Sequence, residues 1–355
     1  MTLHAPAEPH TSARPAARGP LSREILELLA DDATSAAGAP EAAAAALALA
    51  DDVVRDDDVQ LSLFLLSSLH YGSLPDLPVA REWDLGLLAA RRLLEDAFEA
   101  QLRREVPVPA QPEPTVDAVA RLLFSLTAPT PGPSLARYVA KTASVAQLQE
   151  FLMHRSIYTL READPHSWAV PRLTGRAKAA MMEIQFDEYG SGDPDRAHAG
   201  IFAATMRGAG LDDTYGAYVD AVPAVTLASL NMMSMFGLNR RLRGAIVGHL
   251  AAFEMTSSIP NKHYGDGFRR AGFGEDVTAY FDEHVEADAV HEQIAGRDLA
   301  GALAEDEPDL LPDILFGAAA CLTVDGWAGD HILHAWQQGR SALREEWHER
   351  RTATD

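Results

Sequence analysis

Cysteine is nearly missing from this 355-residue chain, with Cys321 the single one. One thiol excludes an intramolecular disulfide and any thiolate cluster for zinc or iron–sulfur chemistry, and it fits a reducing, cytoplasmic setting. Basic residues are few: 30 Lys and Arg stand against 52 Asp and Glu, a formal charge of −22. A field of that sign repels phosphate backbones and anionic headgroups, so neither nucleic acid nor a membrane is an expected partner. Apolar runs are broken by charges before reaching about 18 residues, which argues against a transmembrane helix. The opening MTLHAPAEPHTSARPAARGP has no apolar core and reads as a disordered tail, not a signal peptide. Strand-like alternation is missing as well.

What remains is helix: Ala-rich runs and apolar residues three and four apart predict an all-α protein. Three parts are expected, a tail over 1–20, a helical flank over 21–110 and a helical core over 111–347. Ser22 is the expected N-cap of the first helix. A second helical region spans about 40–70 and a third about 85–104, with the Pro-rich PVPAQPEPT as linker. Core helices are expected at about 134–161, 175–191, 194–209, 212–237, 241–257, 275–296 and 309–347. The stretch PAVTLASLNMMSMFG is apolar nearly all round, which implies burial on more than one face. Its Met232, Met233, Met235 and Phe236 read as core.

The chemistry concentrates in DEHVEADAVHEQ, where His284, Asp288 and His291 fall at i, i+4 and i+7, within an arc of about 60° at 100° per residue. Two imidazoles and a carboxylate suit iron, manganese or zinc, whereas calcium and magnesium prefer oxygen shells. The bland reading puts these residues on a solvated helix face beside Glu283, Glu286 and Glu292. A second cluster, Glu188, Asp195 and His198, has spacings of seven and three and is interrupted by Gly190, Gly192 and Pro194, which predict a break. There the bland reading makes Asp195 a capping acid near a helix start. Asp195-x-x-His198 and Asp288-x-x-His291 repeat one spacing on two helices, the logic of dinuclear carboxylate sites in bundles. Glu150, on an apolar helix, is the third contributor, or else a partner for Arg155. His154 reads as a core or orienting histidine, and Glu254 as a buried acid that orients a histidine. Asp187 points about 100° from Glu188 and is set aside.

Taken together, EFLMHRSIY, then EIQFDEYGSG with DRAH, then EHVEADAVHE resemble the haem-oxygenase-like diiron oxidases and oxygenases, over about residues 60–340. The resemblance implies a haem-oxygenase-like bundle with seven ligands on three core helices. His284, Asp288 and His291 match the third-helix motif in full. Glu188, Asp195 (Glu in some relatives) and His198 match the second, and Glu150 matches the first by context. It further implies two Fe(II) ions, O2 as co-substrate, a small organic substrate of amine, amino acid or fatty acid type, and an external electron donor. A homodimer is the default for a chain of this size. Two rivals make different demands. A haem-binding enzyme on the same fold needs one axial histidine and no Asp195 or Asp288, while a non-catalytic helical binding protein carries its acid–histidine pairs on the surface. A thiaminase-like enzyme needs a nucleophilic cysteine, and Cys321, in GAAACLTVDGW, reads as packed core.

Overall fold

The computed structural model describes residues 14–347 except 73, 75, 76 and 130, with backbone alone at 286–289. Among the described residues there are sixteen α-helices and no strand. The chain begins with α1 (Pro20–Ala30), α2 (Ala39–Leu49), α3 (Asp57–Ser68) and α4 (Leu85–Glu105). Next come α5 (Val116–Leu126), α6 (Leu135–Lys141), α7 (Val145–Thr159), α8 (Asp164–Ser167), α9 (Gly175–Glu188) and α10 (His198–Gly208). The chain continues with α11 (Ala224–Leu238), α12 (Arg243–Glu254), α13 (Ser258–Arg270), α14 (Glu275–Gln293), α15 (Ala302–Asp306) and α16 (Leu311–Gln337). Between α14 and α15 the chain runs through a π-helical segment, Ile294–Gly301, without leaving the helical path.

Local capping chemistry explains where elements begin. The expected 40–70 helix divides because Asp56 takes up an extended conformation and its carboxylate accepts the Val59 amide, starting α3 afresh. The expected 134–161 helix divides at Ser144, whose hydroxyl accepts the Gln147 amide while Gln147 Oε1 accepts the Ser144 amide, a reciprocal cap. Gly19, not Ser22, caps α1; Ser22 lies inside the first turn, where its hydroxyl accepts the Arg18 and Gly19 amides. Of the expected tail, residues 1–13 lie outside the described residues. Arg18, by contrast, is buried and donates to Asp57 and to the Val219 and Val222 carbonyls.

Helix α3 packs on α11 within one hydrophobic cluster, and buried Asn231 of α11 donates to the Gln60 carbonyl and side chain at 2.8 Å each. As its composition predicts, α11 is buried on almost every side. Helices α12 and α16 approach backbone to backbone: a Cβ on Gly248 would meet the Ile314 carbonyl oxygen at 1.8 Å, and one on Gly317 would meet that of Ala245 at 1.9 Å. With the turn before it, α16 forms a 30-residue helix long and apolar enough to cross a membrane, but 61% of its most apolar stretch is buried in the bundle. That apolarity is accounted for by the core it fills.

Candidate metal centre

Four helices and one turn bring acid and imidazole groups to a single buried place. Glu162 comes from the turn that follows α7, just before Ala163 bends the chain at φ 75°. Glu188 is the last residue of α9, His198 the first of α10 and Glu254 the last of α12, while His284 and His291 lie two turns apart on α14. Glu162, Glu188, His198 and His284 offer ligand atoms that all lie within 4.8 Å of one another, and Glu188, Glu254 and His291 do the same. Glu188 belongs to both groups. Donors about 2.1 Å from a shared metal stand at most about 4.2 Å apart, so each group needs only a small contraction to close.

Each of the three histidines turns inward a buried nitrogen that has no hydrogen-bond partner, and His284 and His291 are also anchored from outside. His284 Nδ1 lies 2.8 Å from the Tyr280 carbonyl, to which it donates, leaving Nε2 3.6 Å from Glu162. His291 Nε2 lies 3.1 Å from Asp187, leaving Nδ1 3.3 Å from Glu254 and 3.9 Å from Glu188. His198 Nδ1 sits 3.0 Å from Glu188. None of these three inward nitrogens completes a hydrogen bond, although all are buried. Outer partners that fix the ring and its tautomer in this way are the usual companions of metal-bound histidine. Glu162 is itself oriented by the Tyr280 hydroxyl, which donates to both its oxygens at 2.8–2.9 Å.

Electrostatics point the same way. Burial, with Glu254 and Glu162 close by, pushes the Glu188 carboxyl well above the usual range. Burial would lower His284 and His291, but Glu162 holds the first up at about 9, and Glu254 with Asp187 holds the second up at about 10. Three buried carboxylates at one point are costly unless cations compensate them. Protons on His284 and His291 do so in the metal-free chain; two divalent ions would do so with both rings neutral. Donors of this type, nitrogen and carboxylate oxygen without sulfur, suit iron or manganese.

The residues singled out from the sequence divide accordingly. Glu188, His198, His284 and His291 are brought together. Their burial, with His284 at 4% and His291 at 1% exposure, is not that of a solvated helix face. Glu150 is elsewhere: its carboxylate accepts from the Trp336 indole at 2.8 Å and the Ala342 amide at 2.9 Å, tying α7 to the end of α16. Twelve residues separate it from Glu162, about 18 Å along a helix axis. Asp195 is also elsewhere, exposed on a short 3-10 turn with its amide on Asp193. The break at Pro194 that the sequence predicts is what turns it away. The side chain of Asp288 lies outside the described residues. Sequence reasoning missed Glu162, which sits past a helix end and outside any periodic pattern. It gave Glu254 an orienting role and set Asp187 aside, whereas Asp187 orients His291 and Glu254 faces the cluster. His154 bonds Thr226 Oγ1 at 2.8 Å and lines a neighbouring cavity.

A helical bundle with a buried, preorganised acid–histidine cluster defines a class, and comparison with known proteins gives the family. The model of the iron-containing redox enzymes matches residues 149–326, half of the chain and all six residues of the two groups. The chain belongs to that haem-oxygenase-like family. It is 30% identical over 160 residues to the nitrosourea synthase of Streptomyces achromogenes subsp. streptozoticus, a match covering 44% of this chain and 34% of that enzyme. The chain thus spans about a third of that relative's length. Two crystal structures of a CADD-like protein of unknown function from Nostoc punctiforme align over 62% of this chain and 97% and 94% of theirs. Their TM-scores are 0.48 and 0.47, at 16% and 15% identity.

Proposed function

We propose that the protein is a non-haem diiron oxidase or oxygenase that uses O2 to oxidise a small organic molecule. The observation that carries this reading is the pair of ligand groups sharing Glu188, each with an imidazole that is anchored from outside and turns an unpartnered nitrogen inward. Glu162, His198 and His284 would hold one ion, Glu254 and His291 the other, and Glu188 both. Asp288, on the same helix as the two histidines, is the seventh ligand of this reading. When bound, the two Fe(II) ions supply the electrons that reduce O2. The chain's own contribution is to orient and protect: Tyr280 and Asp187 fix Glu162 and His291, and the buried setting excludes bulk water from the oxidant. The family and the nitrosourea synthase support oxidation chemistry, since a nitrosourea carries an oxidised nitrogen. An external donor would return the ions to Fe(II) after each cycle.

Anaerobic Fe(II) titration of the metal-free protein, followed by a pulse of O2, tests the reading. Two ions per chain, and a visible absorption transient that His284→Ala abolishes, are the expected results. Folded protein that takes up no iron would overturn it.

A further inference from the structure

Helices α7, α11, α13 and α16 enclose a cavity of about 320 Å³ beside the metal centre. Ligand pockets run from about 300 to 1,000 Å³, so this one suits a single molecule of amino-acid size. Phe151, Leu230, Met233 and Ile332 give it an apolar body. Two charged side chains interrupt that body, Arg155 and Asp325. Among the described residues Arg155 makes no hydrogen bond and no ion pair within 4.0 Å; burial works against its charge, and the fields of Tyr280, Tyr264, Glu162 and Asp325 hold it. Asp325 accepts the Ser229 hydroxyl at 2.7 Å, has the Cys321 thiol at 4.0 Å and is not paired with Arg155. Burial pushes the Asp325 carboxyl up, while Ser229 and Arg155 draw it down.

A guanidinium and a carboxylate that line one largely apolar pocket without touching each other lack direct hydrogen-bonding partners of opposite charge, and burying them costs less when a ligand meets both. A guanidinium presents a fork that matches a carboxylate, and Asp325 keeps free lone pairs for a cationic nitrogen. A fatty acid would satisfy Arg155 and place its tail against a buried negative charge; a simple amine would satisfy Asp325 and leave Arg155 uncompensated. A zwitterion satisfies both. One wall of the cavity adjoins the metal centre. Tyr158 lines it, and that hydroxyl is pushed well up by burial and by the charges of Glu162, Glu188 and Glu254. Phe253, on the wall, precedes Glu254.

We propose that the cavity binds a free amino acid, its carboxylate on Arg155 and its ammonium group on Asp325, with the side chain along the apolar wall. That the bound amino acid is the molecule oxidised rests on the diiron reading above; that it binds does not. The test is calorimetry on the full-length, metal-free protein, starting from a thermal-shift screen of the twenty protein L-amino acids. The best binder is then compared with its decarboxylated amine and its deaminated acid, and with decanoic acid. The amino acid is expected to bind at least tenfold tighter than either truncated form. In Arg155→Met its affinity should fall to that of the amine, and in Asp325→Asn to that of the deaminated acid. Absence of binding by every amino acid, tighter binding of decanoic acid, or variants that keep the parent's discrimination would each overturn the proposal. Iron titration of the same samples keeps the two readings apart: amino-acid binding without iron uptake defeats only the diiron reading, and the converse defeats only this one.

Discussion

Glu188→Gln removes the one charge that both ligand groups share, and the structure predicts opposite effects on the metal-free and metal-loaded protein. Carboxylate oxygens within 4.8 Å of one another repel by about 3 kcal/mol at an effective dielectric constant of about 20. Part-time protonation of Glu188 and attraction to the charged histidines reduce that, so the metal-free variant should gain about 1–2 kcal/mol. With an unfolding entropy of about 2.1 cal/mol/K per residue, a chain of this length gains roughly 1–3 °C in Tm. The sign with pH follows from the raised carboxyl. The folded parent binds more protons than the unfolded chain, so its stability is full below the ordinary value of 4.5 and is lost as pH climbs through the raised folded value. The variant has no such proton to lose, so its advantage should be nil near pH 4 and grow toward neutrality.

With metal the order reverses. An ion at a hundred times its Kd stabilises the fold by about 2.7 kcal/mol, which the parent collects at two sites and the variant at neither. Anaerobic scanning fluorimetry of both proteins, with and without Fe(II), at pH 4 and 7.5, reads all four quantities. A metal-free variant less stable than the parent at pH 7.5, or one that still binds two ions with parental affinity, would refute the reasoning.

Glu150→Gln should leave iron stoichiometry at two and cost about 1–3 kcal/mol in urea unfolding, by weakening the bonds from Trp336 and Ala342, whereas Glu162→Gln should lose an ion without that cost. Asp187→Asn should weaken the ion held by His291 by roughly 10–100-fold and spare the other, a biphasic Fe(II) isotherm being the readout. Gly317→Ala forces α12 and α16 apart and should cost about 3 kcal/mol in urea unfolding; a neutral result would mean that the close approach is not needed. Burial holds His154 and His166 down at about 3 and His249 well below its usual value. These three stay neutral in the fold and charge in the unfolded chain, so the stability they contribute is complete above about pH 6.5. Each should then subtract up to about 1.4 kcal/mol per pH unit as pH falls toward 3, and His249→Gln should remove about a third of that slope in urea midpoints taken from pH 7 to 4.

How much of this was legible in the sequence depends on whether a residue acts through its own helix or through the path of the chain. His284 and His291 are set by one helix's periodicity, so their shared direction follows from spacing alone, and the bundle supplies the acids they meet. Glu188 and His198 lie on either side of the break at Gly190 to Pro194, and the fold joins them by a turn, not by the continuous helix that would have carried Asp195 inward. The spacing argument therefore places Glu188 and His198 together for a reason other than the actual one. Glu162 leaves no periodic trace, since it sits beyond the end of α7, where only the left-handed bend at Ala163 turns it back into the core. Glu150 shows the complementary case: a carboxylate on an apolar helix does need a buried partner, and here the partners are a Trp indole and a backbone amide 186 and 192 residues away. Burial cost predicts that such an acid is satisfied; it does not say by what. The same logic, applied to Arg155 and Asp325, finds two charges that line one cavity without touching each other, and that is why the proposed ligand is argued from the cavity rather than from the cluster.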